Sequence, residues 1–170
     1  PPPRPNADHG PPGLTEAQAN AAHSMRESLN AGGFSVSLLD GVTGSGKTET
    51  YFEAVAEALG LGRQVLIMLP EIALTSQFLG RFQARFGAAP VEWHSALAGP
   101  ERGKVWRNVA TGEARVVVGA RSALFLPFKE LGLIVVDEEH DQGFKQDDRV
   151  HYHARDMTVV RAHISGCAVV

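Results

Sequence analysis

The sequence predicts an α/β protein with a mostly parallel sheet and helices on both faces, giving three layers. Three observations lead to this class. Short, continuously apolar segments alternate with longer segments whose apolar residues recur at helical spacing. Continuously apolar strands are typical of parallel sheets that are covered on both faces. A glycine-rich motif separates one predicted strand from the helix after it, and polar loops follow other strands, where doubly wound sheets bind ligands.

Composition restricts the class of protein further. The 170 residues are 44% hydrophobic and 21% charged, which suits one domain with a buried core. No apolar run approaches the length of a membrane-spanning helix, and the proline-rich start lacks the apolar stretch of a signal peptide. The single Cys167 excludes an internal disulfide, so we expect a cytoplasmic protein. The net charge of −3 means that a nucleic-acid partner needs a local binding site.

The two ends of the sequence differ in character from the rest. Residues 1–13 contain six prolines and two glycines, so we predict a linker there and a single domain over 14–170. Residues 166–170 begin an apolar run of strand type, at which the sequence stops. We therefore expect a fragment of a larger protein, truncated at this strand. The alternative is a short edge strand at a natural terminus.

The first predicted helix covers about 14–31 and ends at a glycine pair. Thr15 and Gln18 have the spacing of a capping box, in which each side chain binds the backbone N–H of the other residue. Capping is one role for Gln18. The alternative is recognition of an adenine edge, because an amide carries both a hydrogen-bond donor and an acceptor.

A full phosphate-binding motif, G-x-x-x-x-G-K-[ST], lies between a strand predicted over 34–40 and a helix predicted over 49–59. Its glycines let consecutive backbone N–H groups point at an anion, and the helix N-terminus adds about half a positive charge. Lys47 is expected to reach the β- and γ-phosphates of a nucleotide, and the Thr48 hydroxyl to bind Mg²⁺. Besides Gln18, the predicted nucleotide-binding residues are Gly41, Val42, Thr43, Gly44, Ser45, Gly46, Lys47, Thr48 and Glu49.

The rest of the chain continues the alternation of strands and helices. Strands are predicted over 64–69, 91–94, 114–118, 133–136 and from 166 onward, and helices over 72–86, 99–110 and 154–164.

Two adjacent acids, Asp137 and Glu138, follow the strand predicted over 133–136. Neighbouring carboxylates repel each other, and a divalent cation relieves that repulsion. We expect Asp137 to bind Mg²⁺ opposite Thr48, and Glu138 to orient and deprotonate the attacking water. Lys47, Asp137 and Glu138 are therefore the predicted catalytic residues. The alternative is a pair of solvated acids at the end of a strand, which would have the same sequence. The phosphate loop earlier in the chain favours the catalytic role.

Other polar residues suit the phosphate oxygens of a nucleic-acid strand. Pro70 and Thr75 follow the strand at 64–69, and Arg121 and Ser122 follow the strand at 114–118. For each of these residues, ordinary capping is the alternative.

A polar segment over 141–152 combines aromatic rings with cations, at Phe144, Lys145 and Tyr152. This pattern suits base stacking on single strands, whereas a solvated loop is the alternative because three aspartates neutralise the cations. His140, just before the segment, is expected to sense the γ-phosphate or to cap a turn. The histidines of the chain show no helical pair beside an acid, so we do not expect zinc here.

Five motifs together resemble one family of motor proteins. They are GVTGSGKTE at 41–49, LPEIALTSQ at 69–77, GARSALF at 119–125, DEEH at 137–140 and YHARD at 152–156. The set is similar to the helicase core of bacterial PriA-type primosomal proteins, superfamily 2 DNA helicases that restart stalled replication. The likeness runs from about residue 14 to the last residue.

The resemblance implies an ATP-driven 3′-to-5′ translocase on single-stranded DNA, built from two RecA-like lobes of the P-loop NTPase class. This chain is similar to the first lobe. The resemblance further implies that Gln18 reads adenine, that 70–77 and 119–122 contact DNA, and that 141–152 couples DNA binding to hydrolysis. Relatives often carry an aromatic residue where this chain has Val150.

The family also implies parts that this sequence lacks. Its arginine finger lies in the second lobe, so we expect this lobe alone to bind ATP weakly and to hydrolyse it barely. The implied cofactors are ATP and Mg²⁺, with zinc only in cysteine clusters further downstream. The implied partners are single-stranded and forked DNA, single-strand-binding protein and other primosome proteins, with no membrane. The alternatives are a P-loop ATPase of another class without a nucleic-acid role, and a non-catalytic interaction module.

Overall fold

A computed structural model of the chain describes residues 1–42, 44–138, 145–146 and 152–170. The helices are α1 (Glu16–Ala31), α2 (Lys47–Gly60), α3 (Ser76–Phe86), α4 (Gly99–Thr111) and α5 (Ala154–Ser165). The strands are β1 (Ser35–Val36), β2 (Gln64–Met68), β3 (Val91–Trp93), β4 (Val116–Gly119), β5 (Leu131–Val136), β6 (Lys145–Gln146), β7 (Tyr152–His153) and β8 (Ala168–Val169). Within the described ranges, no helix combines the length and apolar character that crossing a bilayer requires.

Six parallel strands form the main sheet, in the order β1-β8-β5-β2-β4-β3. β6 and β7 form a separate antiparallel pair, which the sequence pattern did not predict. In the main sheet β8 lies between β1 and β5, so the first strand occupies an edge. The predicted fold class, a mostly parallel sheet of RecA-like type with helices on both faces, is confirmed.

The sheet has a separate apolar core on each face because side chains alternate along every strand. In β2, Val65 and Ile67 pack in the core formed with α1, α2 and α3, whereas Leu66 and Met68 pack in the core formed with α4 and α5. The first core is rich in aromatic rings, with Phe52 of α2 in edge-on contact with three phenylalanines of α3: Phe78, Phe82 and Phe86. This packing fixes the helix that carries the phosphate loop against its neighbour.

Helix starts differ from the predicted boundaries where local capping intervenes. The helix predicted from 72 begins at Ser76, because Glu71–Ala73 forms a 3₁₀ turn and the Thr75 hydroxyl then accepts from the Phe78 N–H at 3.3 Å. The capping box predicted for α1 is present, so Thr15 and Gln18 bind each other's backbone N–H groups.

A buried ion network joins three helices to the N-terminal segment. The Glu53 carboxylate of α2 accepts from Arg26 of α1 at 2.6 Å and from Arg85 of α3 at 2.9 Å. Arg85 also donates to the carbonyl oxygens of Ala7 and His9, at 2.8 Å and 2.6 Å. The segment predicted as a linker over 1–13 is therefore docked on α3 at this point, and its role as a linker stays a prediction.

The side chain of Gln64 lies at the amino end of β2, at the end of the sheet opposite the phosphate loop, and bonds the segments that surround it. The residue is buried, and its Nε2 donates to the carbonyls of Val109 and Ala114 at 3.1 Å and 2.8 Å. Its Oε1 accepts from the N–H groups of Lys129 and Glu130, both at 2.8 Å. One amide thus satisfies four backbone groups from the end of α4 and the start of β5.

We predict that Gln64→Leu lowers the free energy of unfolding by about 3–5 kcal/mol, because leucine removes four hydrogen bonds and leaves the Ala114 carbonyl and the Lys129 and Glu130 N–H groups without this partner. Urea denaturation measures the loss. The matched control is Gln83→Leu, an exposed glutamine on α3, which should change stability by less than about 0.5 kcal/mol. Equal effects of the two substitutions would contradict the role of Gln64.

Candidate functional site

The phosphate loop turns from β1 into α2, as its sequence predicts. Gly44 and Gly46 have φ values of 81° and 79°, which side chains rarely adopt. A Cβ atom on Gly46 would also lie 2.3 Å from Gln18 Nε2, and one on Gly41 would lie 2.6 Å from Ser45 Oγ. The backbone conformation therefore favours glycine at Gly44 and Gly46, whereas a side chain on Gly41 would require Ser45 to rotate. Lys47 begins α2 with Thr48 in the same turn, so both side chains lie beside the loop.

Gln18 connects α1 to the phosphate loop. Its Oε1 accepts from the Thr15 N–H at 2.9 Å, which completes the capping box, and its Nε2 donates to the Ser45 carbonyl at 2.8 Å. The amide therefore caps the helix and holds the loop at the same time. One N–H and one acceptor lone pair remain on it, so adenine recognition by Gln18 stays a prediction.

The acid pair lies in a tight turn directly after β5. Glu138 has a φ of 53°, in the left-handed region that non-glycine residues seldom occupy. Its N–H donates back to Asp137 Oδ1 at 2.9 Å. Backbone strain of this kind occurs at functional sites, where surrounding structure maintains it.

Tyr51 links the acid pair to the helix of the phosphate loop. Its hydroxyl donates to Asp137 Oδ2 at 3.0 Å. Burial, and next the negative charge of Asp137, raise the pKa of Tyr51 well above its ordinary value. The hydrogen bond therefore connects one predicted magnesium ligand, Asp137, to the helix that carries the other, Thr48, in the same turn.

One cleft of about 810 Å³ contains both halves of the site. Its lining includes Gly41, Val42, Lys47, Tyr51, Asp137 and Glu138, together with Arg155 and Asp156 from the start of α5. Because only β8 separates β1 from β5, the loop and the acids follow strands that are roughly 10 Å apart. The cleft therefore combines the Lys47 ammonium with the Asp137 and Glu138 carboxylates. This combination suits a magnesium-bound polyphosphate, because the cation attracts phosphates and Mg²⁺ prefers oxygen ligands.

Glu49, predicted to bind nucleotide, has a protein partner. Arg81 of α3 donates from Nε to Glu49 Oε1 at 3.0 Å. Partial burial raises the pKa of Glu49, but the bonds from Arg81 and from the backbone outweigh it and leave the pKa below its ordinary value. Glu49 therefore stays ionised and paired with α3.

The residues predicted to contact DNA lie on neighbouring loops, because β2 and β4 are adjacent in the sheet. Pro70 is buried, and Thr75 caps α3. Ser122 is exposed, and its Oγ accepts from the indole N–H of Trp93 at 3.0 Å, which leaves its own O–H able to donate. Arg121 opens the 3₁₀ helix after β4 and is half-buried.

Some predicted site residues lie outside the described part of the chain. These are Thr43, His140 and Phe144. Lys145 and Tyr152 are described as backbone only, in the pair of strands where Lys145 opposes His153 and Tyr152 opposes Gln146.

Besides the bond of Gln18 to Ser45, the sequence did not predict two polar contacts that shape the site. Tyr51 lies one helical turn after Lys47, so helical spacing alone would have placed it beside the phosphate loop. Trp93, in the strand predicted over 91–94, donates from its indole N–H to Ser122 Oγ. No sequence signal indicates that contact, because Trp93 and Ser122 are 29 residues apart and meet only because β3 pairs with β4.

Comparison with known proteins supports the motif assignment. Residues 15–167 match the family described as DEAD/DEAH box helicase. The chain is 47% identical over 159 residues to the replication restart protein PriA of Rickettsia felis, and 43% identical over 157 residues to that of Bacillus subtilis. These matches cover 94% and 92% of this chain. The resemblance read from the motifs is confirmed.

The chain spans only part of these relatives, namely 24% of the Rickettsia felis protein and 20% of the Bacillus subtilis protein. Among solved structures, the crystal structure of the DUF1998 helicase MrfA is similar, with a TM-score of 0.58. At 19% identity, over 92% of this chain and 26% of that chain, this likeness shows the fold alone.

We predict that Gln18→Glu weakens nucleotide binding by about 10-fold, measured with a fluorescent ADP analogue. The carboxylate loses the donor to the Ser45 carbonyl and adds a negative charge beside the loop, a change of about 1–2 kcal/mol. The capping box survives because glutamate also serves at this position, so the melting temperature should stay the same.

Gln83→Glu, which adds the same charge at an exposed site on α3, is the control and should bind nucleotide normally. Unchanged affinity in Gln18→Glu would show that the bond to Ser45 does not support the loop.

Proposed function

We propose, because this chain belongs to the DEAD/DEAH box helicase family, that it is the ATP-binding lobe of an ATP-dependent DNA helicase that acts in primosome assembly and replication restart. The observation that carries the proposal is the hydrogen bond from Tyr51, on the helix of the phosphate loop, to Asp137, inside the cleft that Lys47 and Glu138 also line. The names of the PriA relatives support replication restart as the process.

In this proposal each residue of the cleft has a distinct task. The phosphate loop cradles the β- and γ-phosphates through backbone N–H groups, and the Lys47 ammonium neutralises their charge. Thr48 and Asp137 are the residues that hold Mg²⁺, which when bound supplies charge stabilisation to the phosphates. Glu138 orients the attacking water and accepts its proton. Gln18 secures the loop and reads the adenine edge.

The proposal extends to parts that this chain does not contain. We infer a second RecA-like lobe that supplies an arginine finger, so the present lobe alone hydrolyses ATP barely. We infer 3′-to-5′ movement, zinc sites downstream and action in the cytoplasm from the resemblance to PriA-type helicases. The proposed partners are single-stranded and forked DNA, single-strand-binding protein and other primosome proteins.

The proposed DNA path crosses the loops after β2 and β4. Ser122 is suited to donate to a phosphate oxygen because the bond from Trp93 uses an acceptor lone pair of its Oγ and leaves the O–H free to donate. In this proposal the DNA backbone is also contacted by Thr75, Arg121 and the backbone near Pro70. Lys145, Tyr152, Phe144 and His140 are proposed to couple DNA binding to hydrolysis.

We predict that two substitutions impair the ATP cycle of the full protein in different ways. Lys47→Ala should abolish hydrolysis, because the phosphates lose their cation. Glu138→Gln should retain ATP binding and slow hydrolysis by about 10²–10⁴-fold, the range for a lost general base. Steady-state ATPase assays and nucleotide binding separate the two effects.

Lys104→Ala, which removes an exposed lysine from α4, is the control for Lys47→Ala and should turn over normally. Normal hydrolysis by Lys47→Ala would refute the phosphate-binding role, and loss of ATP binding by Glu138→Gln would refute the water-orienting role.

We also predict that single-stranded DNA binding by the full protein weakens as salt rises. The log–log slope should be about −0.7 per phosphate contacted, and Arg121→Ala should reduce that slope by about one contact. Arg63→Ala is the control. Arg63 precedes β2 at the amino ends of the strands, away from the proposed DNA path, and pairs with Glu130, so its removal should leave the slope unchanged. Absence of salt-dependent binding in the unmodified protein would favour a P-loop ATPase without a nucleic-acid role.

A further inference from the structure

Both oxygens of the Asp137 carboxylate are held by hydrogen bonds from the protein. Oδ1 accepts from the Glu138 N–H at 2.9 Å, and Oδ2 accepts from the Tyr51 hydroxyl at 3.0 Å. Two donors from different directions fix the plane of the carboxylate as well as its position. The lone pairs that these bonds leave unused are then available to the cleft in one orientation.

Tyr51 is itself immobile, which makes its hydroxyl a fixed donor. The residue is 3% exposed and lies on α2, one turn after Lys47. Its ring is in edge-on contact with Phe52, with centroids 5.3 Å apart, and Phe52 in turn packs against α3. A carboxylate oxygen only accepts hydrogen bonds, so the Tyr51 hydroxyl is the donor in this contact.

We propose that Tyr51 is a positioning residue for the magnesium site, whose hydroxyl orients the Asp137 carboxylate toward the ion and keeps it in register with Thr48. This inference rests on the proposed function. Mg²⁺ demands near-ideal octahedral geometry, so a carboxylate that rotates freely binds it less well. Hydrogen-bond partners that orient metal ligands are worth about 10–100-fold in metal affinity.

The same hydroxyl joins two segments that are distant in sequence. Lys47 and Thr48 belong to α2, whereas Asp137 and Glu138 directly follow β5. Tyr51 therefore keeps the phosphate-binding half and the acidic half of the cleft at a fixed spacing before nucleotide arrives. Removing the hydroxyl should affect the metal requirement selectively, because the backbone N–H groups that bind phosphate are untouched.

The test is Tyr51→Phe in the full protein, which removes the hydroxyl and keeps the ring. The Mg²⁺ concentration for half-maximal ATP hydrolysis should rise by about 10-fold. The Mg²⁺ concentration for half-maximal tightening of fluorescent ADP binding should rise equally. ADP affinity in the presence of a chelator should change by less than about 2-fold, because metal-free nucleotide does not use Asp137.

Thr158→Val is the matched control, because it removes a buried hydroxyl on the opposite face of the sheet, where Thr158 Oγ1 lies 3.3 Å from Met68 Sδ. It should lower the melting temperature without moving the Mg²⁺ midpoints. If Tyr51→Phe behaves in the same way, Tyr51 has only a structural role and the proposal is overturned.

A double-mutant cycle with Asp137→Asn provides a second criterion, using Mg²⁺-dependent ADP binding as the readout. In the Asp137→Asn background, Tyr51→Phe should shift the Mg²⁺ midpoint by less than about 2-fold, because the carboxylate that it orients is gone. A full 10-fold shift in that background would overturn the proposal. If the unmodified protein shows no Mg²⁺-dependent ADP binding or hydrolysis, the proposed function fails first and this inference with it.

Discussion

The hydrogen bond from Tyr51 to Asp137 is the contact on which the organisation of the site depends. A phosphate loop alone binds an anion, and an acid pair alone repels one, so neither segment forms a nucleotidase without the other. The buried hydroxyl lets the two approach, because it gives the carboxylate a neutral donor in place of a competing cation. Lys47 lines the cleft, where its ammonium group is available to bind a phosphate.

The order of strands explains why a bridging side chain is needed. β8 separates the strand before the phosphate loop from the strand before the acids, so these segments cannot touch through their backbones. Helix α2 closes the gap because three kinds of contact fix its packing against α1 and α3: the aromatic core, the ion network of Glu53 and the bond of Arg81 to Glu49. The geometry of the cleft thus depends on contacts made well outside it.

The features that depend on local chemistry could be predicted from the sequence. The parallel sheet followed from continuously apolar strands, and the capping box from the spacing of Thr15 and Gln18. The start of α3 was misplaced because its 3₁₀ turn and Thr75 cap compete with a helical apolar pattern. The bonds of Gln18 to Ser45, Tyr51 to Asp137 and Trp93 to Ser122 were not predictable, since each joins segments that only tertiary packing brings together.

The central claim is that the phosphate loop and the acid pair bind one magnesium-bound nucleotide. A crystal structure with Mg²⁺ and a non-hydrolysable ATP analogue tests it most directly. The account predicts one ion that contacts the β- and γ-phosphates and Thr48 Oγ1, and that reaches Asp137 directly or through one water, with Tyr51 still bonded to Asp137. A nucleotide bound elsewhere, or an ion separated from Asp137 by more than one water, would contradict it.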